Sequence, residues 1–181
     1  MTPGIVHWLV LVPMGLLLLA SVWTDVKGAR IPNRFVFSGL ALGILFNTAL
    51  PEGLGFLSAI GGVAIGMAAL LPMYLLRAMG AGDVKLMAMV GGFLGVEGVP
   101  GAVLCSFVAG GVLSIGYAWK IGVLRRTLQN IRFVLYSSVV KITNGSVPTL
   151  EDAPETAGKF PYAVAIAIGT FGYLMWKAGL V

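Results

Sequence analysis

The chain has 181 residues, of which 58% are apolar and only 10% charged, against roughly a quarter charged in ordinary soluble domains. That balance excludes a water-soluble monomer. The net charge of +5 would suit a nucleic-acid partner, but the basic residues sort by membrane side instead, so no nucleic acid is expected.

Six stretches free of charge follow one another along the chain. A crossing takes about 20 mostly apolar residues for a hydrocarbon core roughly 30 Å thick. The sequence therefore predicts an all-α, polytopic membrane protein of six transmembrane helices, with residues 1–181 as a single domain and the lipid bilayer as its surroundings. The spans run approximately from Ile5 to Trp23, Phe35 to Leu50, Leu54 to Leu76, Val84 to Val96, Gly101 to Trp119 and Phe160 to Trp176.

The first span has no basic flank before it and is read as a membrane helix, not a cleaved signal. His7, the only histidine, lies near its outer start as an interfacial side chain. After Asp25 comes a short polar turn that closes at Pro32-Asn33, where Pro32 biases Ile31 away from helix and separates spans one and two. Pro72 is expected to kink span three. The many glycines, Gly61, Gly62, Gly66, Gly91, Gly92, Gly110 and Gly111 among them, are expected to permit close helix packing.

Span four follows the run Gly80-Ala81-Gly82-Asp83-Val84-Lys85-Leu86 and covers only 13 residues, which at about 1.5 Å each reach some 20 Å and make a short crossing. Cys105, alone in span five, offers no disulfide, no CxxC pair and no zinc framework. In the connection from Lys120 to Lys159, Leu124, Leu128, Ile131 and Leu135 recur on one helical stripe, with Arg125, Arg126 and Arg132 off it. This predicts a basic helix lying on the inner leaflet. A polar linker is expected from Asn144 to Gly158.

With these spans, one side of the membrane receives Lys27, Arg30, Arg34, Arg77, Lys85, Lys120, Arg125, Arg126, Arg132, Lys141 and Lys159, and the other only Lys177. Cytoplasmic loops carry the excess of Lys and Arg, so both termini are expected outside and the basic loops inside the cytoplasmic membrane.

Seven carboxylate side chains exist, and two of them carry the functional reading. Asp25 closes span one and Asp83 opens span four, so both approach the inner face. A carboxylate at such depth is costly and marks a functional site by default, with each acid a candidate partner for the other. Two carboxyl groups a few ångströms apart share a proton and titrate as a pair. One can then take a proton from an attacking water while the other donates to the leaving amine, with no metal or cofactor required. A proton- or cation-coupled transporter using the same aspartates is the alternative. It is weakened by the lack of a detectable inverted repeat and by acids lying at one face instead of the midplane.

Together the two segments resemble the type IV prepilin peptidases, membrane aspartyl proteases with an Asp followed seven residues later by Pro-Asn, and with GxGDxK. Asp25, Pro32 and Asn33 match the first motif; Gly80, Gly82, Asp83, Lys85 and Leu86 match the second; Phe160-Pro161-Tyr162-Ala163 is similar to the family's Pro-Tyr signature. The resemblance implies cleavage of basic leader peptides from prepilins or pseudopilins on the cytoplasmic side. It implies Asp25 and Asp83 as the catalytic pair, with Gly80, Gly82, Lys85, Pro32 and Asn33 supporting the site or the substrate. Larger members carry paired CxxC motifs and methylate the new amino terminus; with Cys105 alone, no methyltransferase domain is expected. The chain looks most like the short peptidases of tight-adherence pilus systems, with archaeal preflagellin peptidases similar in length and motif.

Overall fold

A computed structural model describes residues 3–28, 30–51, 53–76, 79–120, 122 and 161–179. The described residues are helical throughout their regular structure: α1 (Pro3–Gly28), α2 (Asn33–Ala49), α3 (Phe56–Leu75), α4 (Ala81–Lys120) and α5 (Tyr162–Lys177). The inner-leaflet helix and polar linker expected between 120 and 159 fall outside the described residues, as does the side chain of His7.

Among the described residues, three helical segments are long and apolar enough to cross a membrane: Leu9–Gly28, Phe56–Leu75 and Ala81–Lys120. α2, with 17 residues, and α5, with 16, fall short of a full perpendicular crossing. Apolar side chains crowd the outside as well as the inside. Leu104, Val108, Val112 and Ile115 form one exposed stripe along α4, and Leu16, Leu19 and Trp23 another along α1. Such all-round apolarity belongs to helices solvated by lipid.

Where the sequence places a loop at residues 97–100, the helix instead continues, and the break falls at Gly95 with φ 66° and ψ −173°. That conformation is closed to residues bearing a Cβ, which is why glycine supplies it. Helical hydrogen bonds lost at the break are replaced from neighbouring helices. Asn47 donates through Nδ2 to the carbonyls of Gly92 (2.8 Å) and Phe93 (3.0 Å), and the Val96 N–H donates to Ser58 Oγ at 3.3 Å.

Gly95 reverses the chain. A straight helix would hold residues 83 and 106 roughly 35 Å apart, yet Tyr162 reaches both. Its hydroxyl donates to the Ser106 carbonyl at 3.3 Å, and its phenol lies within electrostatic range of Asp83. α4 is therefore two arms, and its first arm is the centre of the bundle: Leu86, Met87, Met89 and Val90 are wholly buried there.

Close contacts set the relative directions of the helices. α3 runs antiparallel to the first arm, with Gly62 against Gly91 and Gly66 against Met87, whereas α2 runs parallel to it, with Gly39 against Met89 and Gly43 against Gly92. α5 is antiparallel both to the second arm, through Gly169 at Ser106 and Tyr173 at Gly101, and to α1, through Phe171 at Gly15. One end of the bundle thus gathers the end of α1, the start of α2, the start of α4 and the start of α5.

Expected close packing at glycine holds at Gly62, Gly66, Gly91 and Gly110, and does not at Gly111, which has nothing within 4 Å of a Cβ position. Pro72 lies in the final turn of α3, one turn before the C-cap Leu76.

At Gly91 a Cβ would run into the Gly62 carbonyl, while at Gly116 it would meet nothing within 4 Å. Gly91→Ala is expected to cost about 1–3 kcal/mol by overpacking. Gly116→Ala is expected to be neutral or slightly stabilising. Thermal unfolding of the two variants in the same detergent measures the contrast.

Candidate active site

Asp25 lies in the last turn of α1, and the hydroxyls of the polar stretch before it are satisfied by bonding back along the helix. Ser21 Oγ donates to the Leu17 carbonyl at 2.8 Å and Thr24 Oγ1 to the Ser21 carbonyl at 3.0 Å. Asp83 is the third residue of α4. Its own N–H donates to the Gly80 carbonyl at 3.1 Å, and the Gly80 N–H donates back to Asp83 Oδ2 at 3.1 Å. The bond to Oδ2 is the half of a capping box in which the third helical residue's carboxyl accepts the amide just before the helix, and it fixes the carboxyl over the helix start.

Asp25 and Asp83 retain only 9% and 8% of their exposure, so neither is the solvated surface charge of an ordinary loop acid. Asp25 Oδ2 accepts the Ala163 N–H of α5 at 3.3 Å. Pro161 forms the N-cap of α5, which leaves Ala163 among the first-turn amides without a helical partner and free to serve an anion. The two carboxyls lie within electrostatic range of each other. Among the described residues Thr170 Oγ1 is the one sealed side-chain polar atom lacking a partner. The second oxygen of each aspartate is thus open to a water.

The supporting residues named from the sequence meet at the same end. Pro32 is the N-cap of α2, extended at φ −63° and ψ 129°. Ile31, just before it, packs 3.3 Å from the position a Cβ would take on Gly82. Lys85 Nζ donates to Asn33 Oδ1 at 3.3 Å. The turn after Asp25, with the first residue of α2, and the first turns of α4 around Asp83 therefore touch at two points, one apolar and one polar.

Tyr162 and Ala163, which the sequence reading did not assign to the site, complete it from α5. The signal available in the sequence was Pro161-Tyr162, an N-cap and first helical residue. Among the described residues no three His, Cys, Asp or Glu side chains gather to hold a metal ion.

Residues 12–115 match the model of the type IV leader peptidase family, and that stretch contains both Asp25 and Asp83. The chain belongs to this family. It is also 32% identical, over 123 residues, to a prepilin leader peptidase/N-methyltransferase of Pectobacterium carotovorum subsp. carotovorum. The similar stretch covers 62% of this chain and 42% of that relative, so the chain spans under half the length of the protein it matches. No solved structure matches. The family match ends before α5, so the contacts of Tyr162 and Ala163 are known from the structure alone.

The Lys85–Asn33 hydrogen bond is exposed, so Lys85→Met and Asn33→Ala are each expected to cost less than about 1 kcal/mol. Because the two side chains share one bond, the double variant should lose little more than the worse single variant. A double-mutant cycle on thermal stability checks this; full additivity would mean that the contact contributes nothing.

Proposed function

We propose that the chain is an aspartyl endopeptidase that removes basic leader peptides from prepilin-like substrates at the cytoplasmic face of the inner membrane. The observation that carries this reading is that two buried carboxyls, Asp25 and Asp83, lie within electrostatic range at one end of an apolar bundle, both inside the segment that matches the leader peptidase family.

The bundle crosses the membrane six times in this reading, α4 contributing two crossings through its reversal, with both termini outside. Support for the side comes from charge: Lys27, Arg30, Arg34, Lys85 and Lys120 all belong to the end that carries the carboxyls. A leader rich in basic residues would meet the carboxyl-bearing end from the cytoplasm, with the apolar segment of the substrate left in the bilayer. Residues 1–181 act as one peptidase domain in this reading, with the two aspartates supplying the chemistry.

The pair begins with one carboxylate and one protonated carboxyl. The carboxylate takes a proton from water as the oxygen attacks the peptide carbonyl carbon. The C–N bond of the tetrahedral intermediate then breaks as the other carboxyl gives its proton to the departing amine. One proton remains on the pair, on the opposite member. The Gly80 and Ala163 amides hold one oxygen of each aspartate still, so the remaining oxygens face the water and the scissile bond. Gly82 allows Ile31 to pack close, and Asn33 with Lys85 ties α2 to α4 beside the site.

Membranes containing the enzyme, incubated with a prepilin bearing its leader, should release the shortened pilin by mass. Asp25→Asn and Asp83→Asn should each lower that rate by roughly a thousandfold while the protein still inserts. Normal cleavage by either variant would remove the two-carboxylate mechanism.

A further inference from the structure

The contacts made by α5 lead to a role for a residue outside the family match. We propose that Tyr162 is the positioning residue that sets Asp25 against Asp83. The role presupposes the peptidase activity proposed above.

Asp25 is held by the Ala163 N–H, and Ala163 sits in the first turn of α5. What anchors that turn is the side chain immediately before it. The Tyr162 hydroxyl donates to the Ser106 carbonyl on the second arm of α4 at 3.3 Å. Its ring lies directly on Gly110, where a Cβ would stand 2.6 Å from Cε2 and 2.8 Å from the hydroxyl oxygen. The aromatic ring therefore reaches α4 only because residue 110 has no side chain.

Ser106 is itself fixed, with Oγ donating to the Ala102 carbonyl at 2.7 Å and its backbone pressed against Gly169 of α5. The second arm is continuous through Gly95 with the arm that starts at Asp83. A shift of Tyr162 off Gly110 thus moves the amide that holds Asp25, while Asp83 keeps its own bond to Gly80. The phenol proton is engaged by the Ser106 carbonyl, so the role is one of position, exerted on Asp25 through the Ala163 amide.

Two variants disturb this contact from opposite sides, and a third is the control. Tyr162→Phe removes only the hydroxyl, and Gly110→Ala pushes the ring away. Gly111→Ala adds the same methyl group one position on, where nothing lies within 4 Å. In the prepilin cleavage assay with the full chain in membranes, Tyr162→Phe and Gly110→Ala should each lower kcat roughly tenfold or more. KM should stay within about twofold, and the pH–rate profile should move, because the spacing of two carboxyls sets their apparent titration. Gly111→Ala should behave as the unaltered enzyme.

The role is overturned if Tyr162→Phe or Gly110→Ala keeps the original kcat and pH profile, or if Gly111→Ala loses as much as Gly110→Ala. Should Gly110→Ala fail to accumulate, Tyr162→Phe, which adds no atom, decides alone. Asp25→Asn in the same assay reports separately on the peptidase mechanism: an active Asp25→Asn contradicts that mechanism whatever the Tyr162 variants do.

Discussion

Two backbone amides make it possible for two acids to sit inside an apolar bundle. A carboxylate taken from water without a compensating partner is expensive enough that proteins avoid it, and in a chain of mean hydropathy +0.96 the usual remedy, a buried Arg or Lys, is scarce. The structure answers with main-chain donors. Gly80 serves Asp83 from the turn before its helix, and Ala163 serves Asp25 from the first turn of another helix. Both donors are amides at a helix start, where helix geometry leaves them without a helical partner. The same feature that would otherwise be a cost at a helix start becomes the means of holding a charge.

That arrangement depends on the reversal at Gly95. Without it the second arm of α4 would continue away from Asp83, and α5 would have no surface on which to return Ala163 to Asp25. The reversal is secured at the opposite end of the bundle from the acids, by Asn47 and Ser58, which supply the hydrogen bonds that the helix loses there. Small residues do the rest. Gly62 with Gly91, and Gly43 with Gly92, bring three helices to backbone contact, a separation that larger side chains would prevent. Asp25 and Asp83, 58 positions apart in the chain, are brought to the same end of the bundle by this packing.

Much of this was readable in the sequence. The helices follow from charge-free stretches, and the acids stood out because each sits where an apolar run begins or ends. The break in α4 was harder to place. Glu97 and Pro100 look like loop residues, but Glu97 is exposed on a helix that carries Pro100 inside it, and among several nearby glycines only Gly95 adopts the left-handed conformation. The Lys85–Asn33 bond joins residues 52 apart, and the Ala163–Asp25 bond residues 138 apart. No local pattern encodes such pairings. A backbone amide is also invisible in a list of side chains, which is why α5 entered the site only with the fold.

Asp25 and Asp83 of one chain are expected to face each other at one end of the bundle. In a Cys105→Ser background, cysteines placed at both positions and treated in native membranes with a short bifunctional thiol reagent test it directly. An intramolecular cross-link, seen as a single mass increment on a monomer, is the expected result. If each cysteine reacts singly with the reagent and no cross-link forms within one chain, the two side chains do not meet.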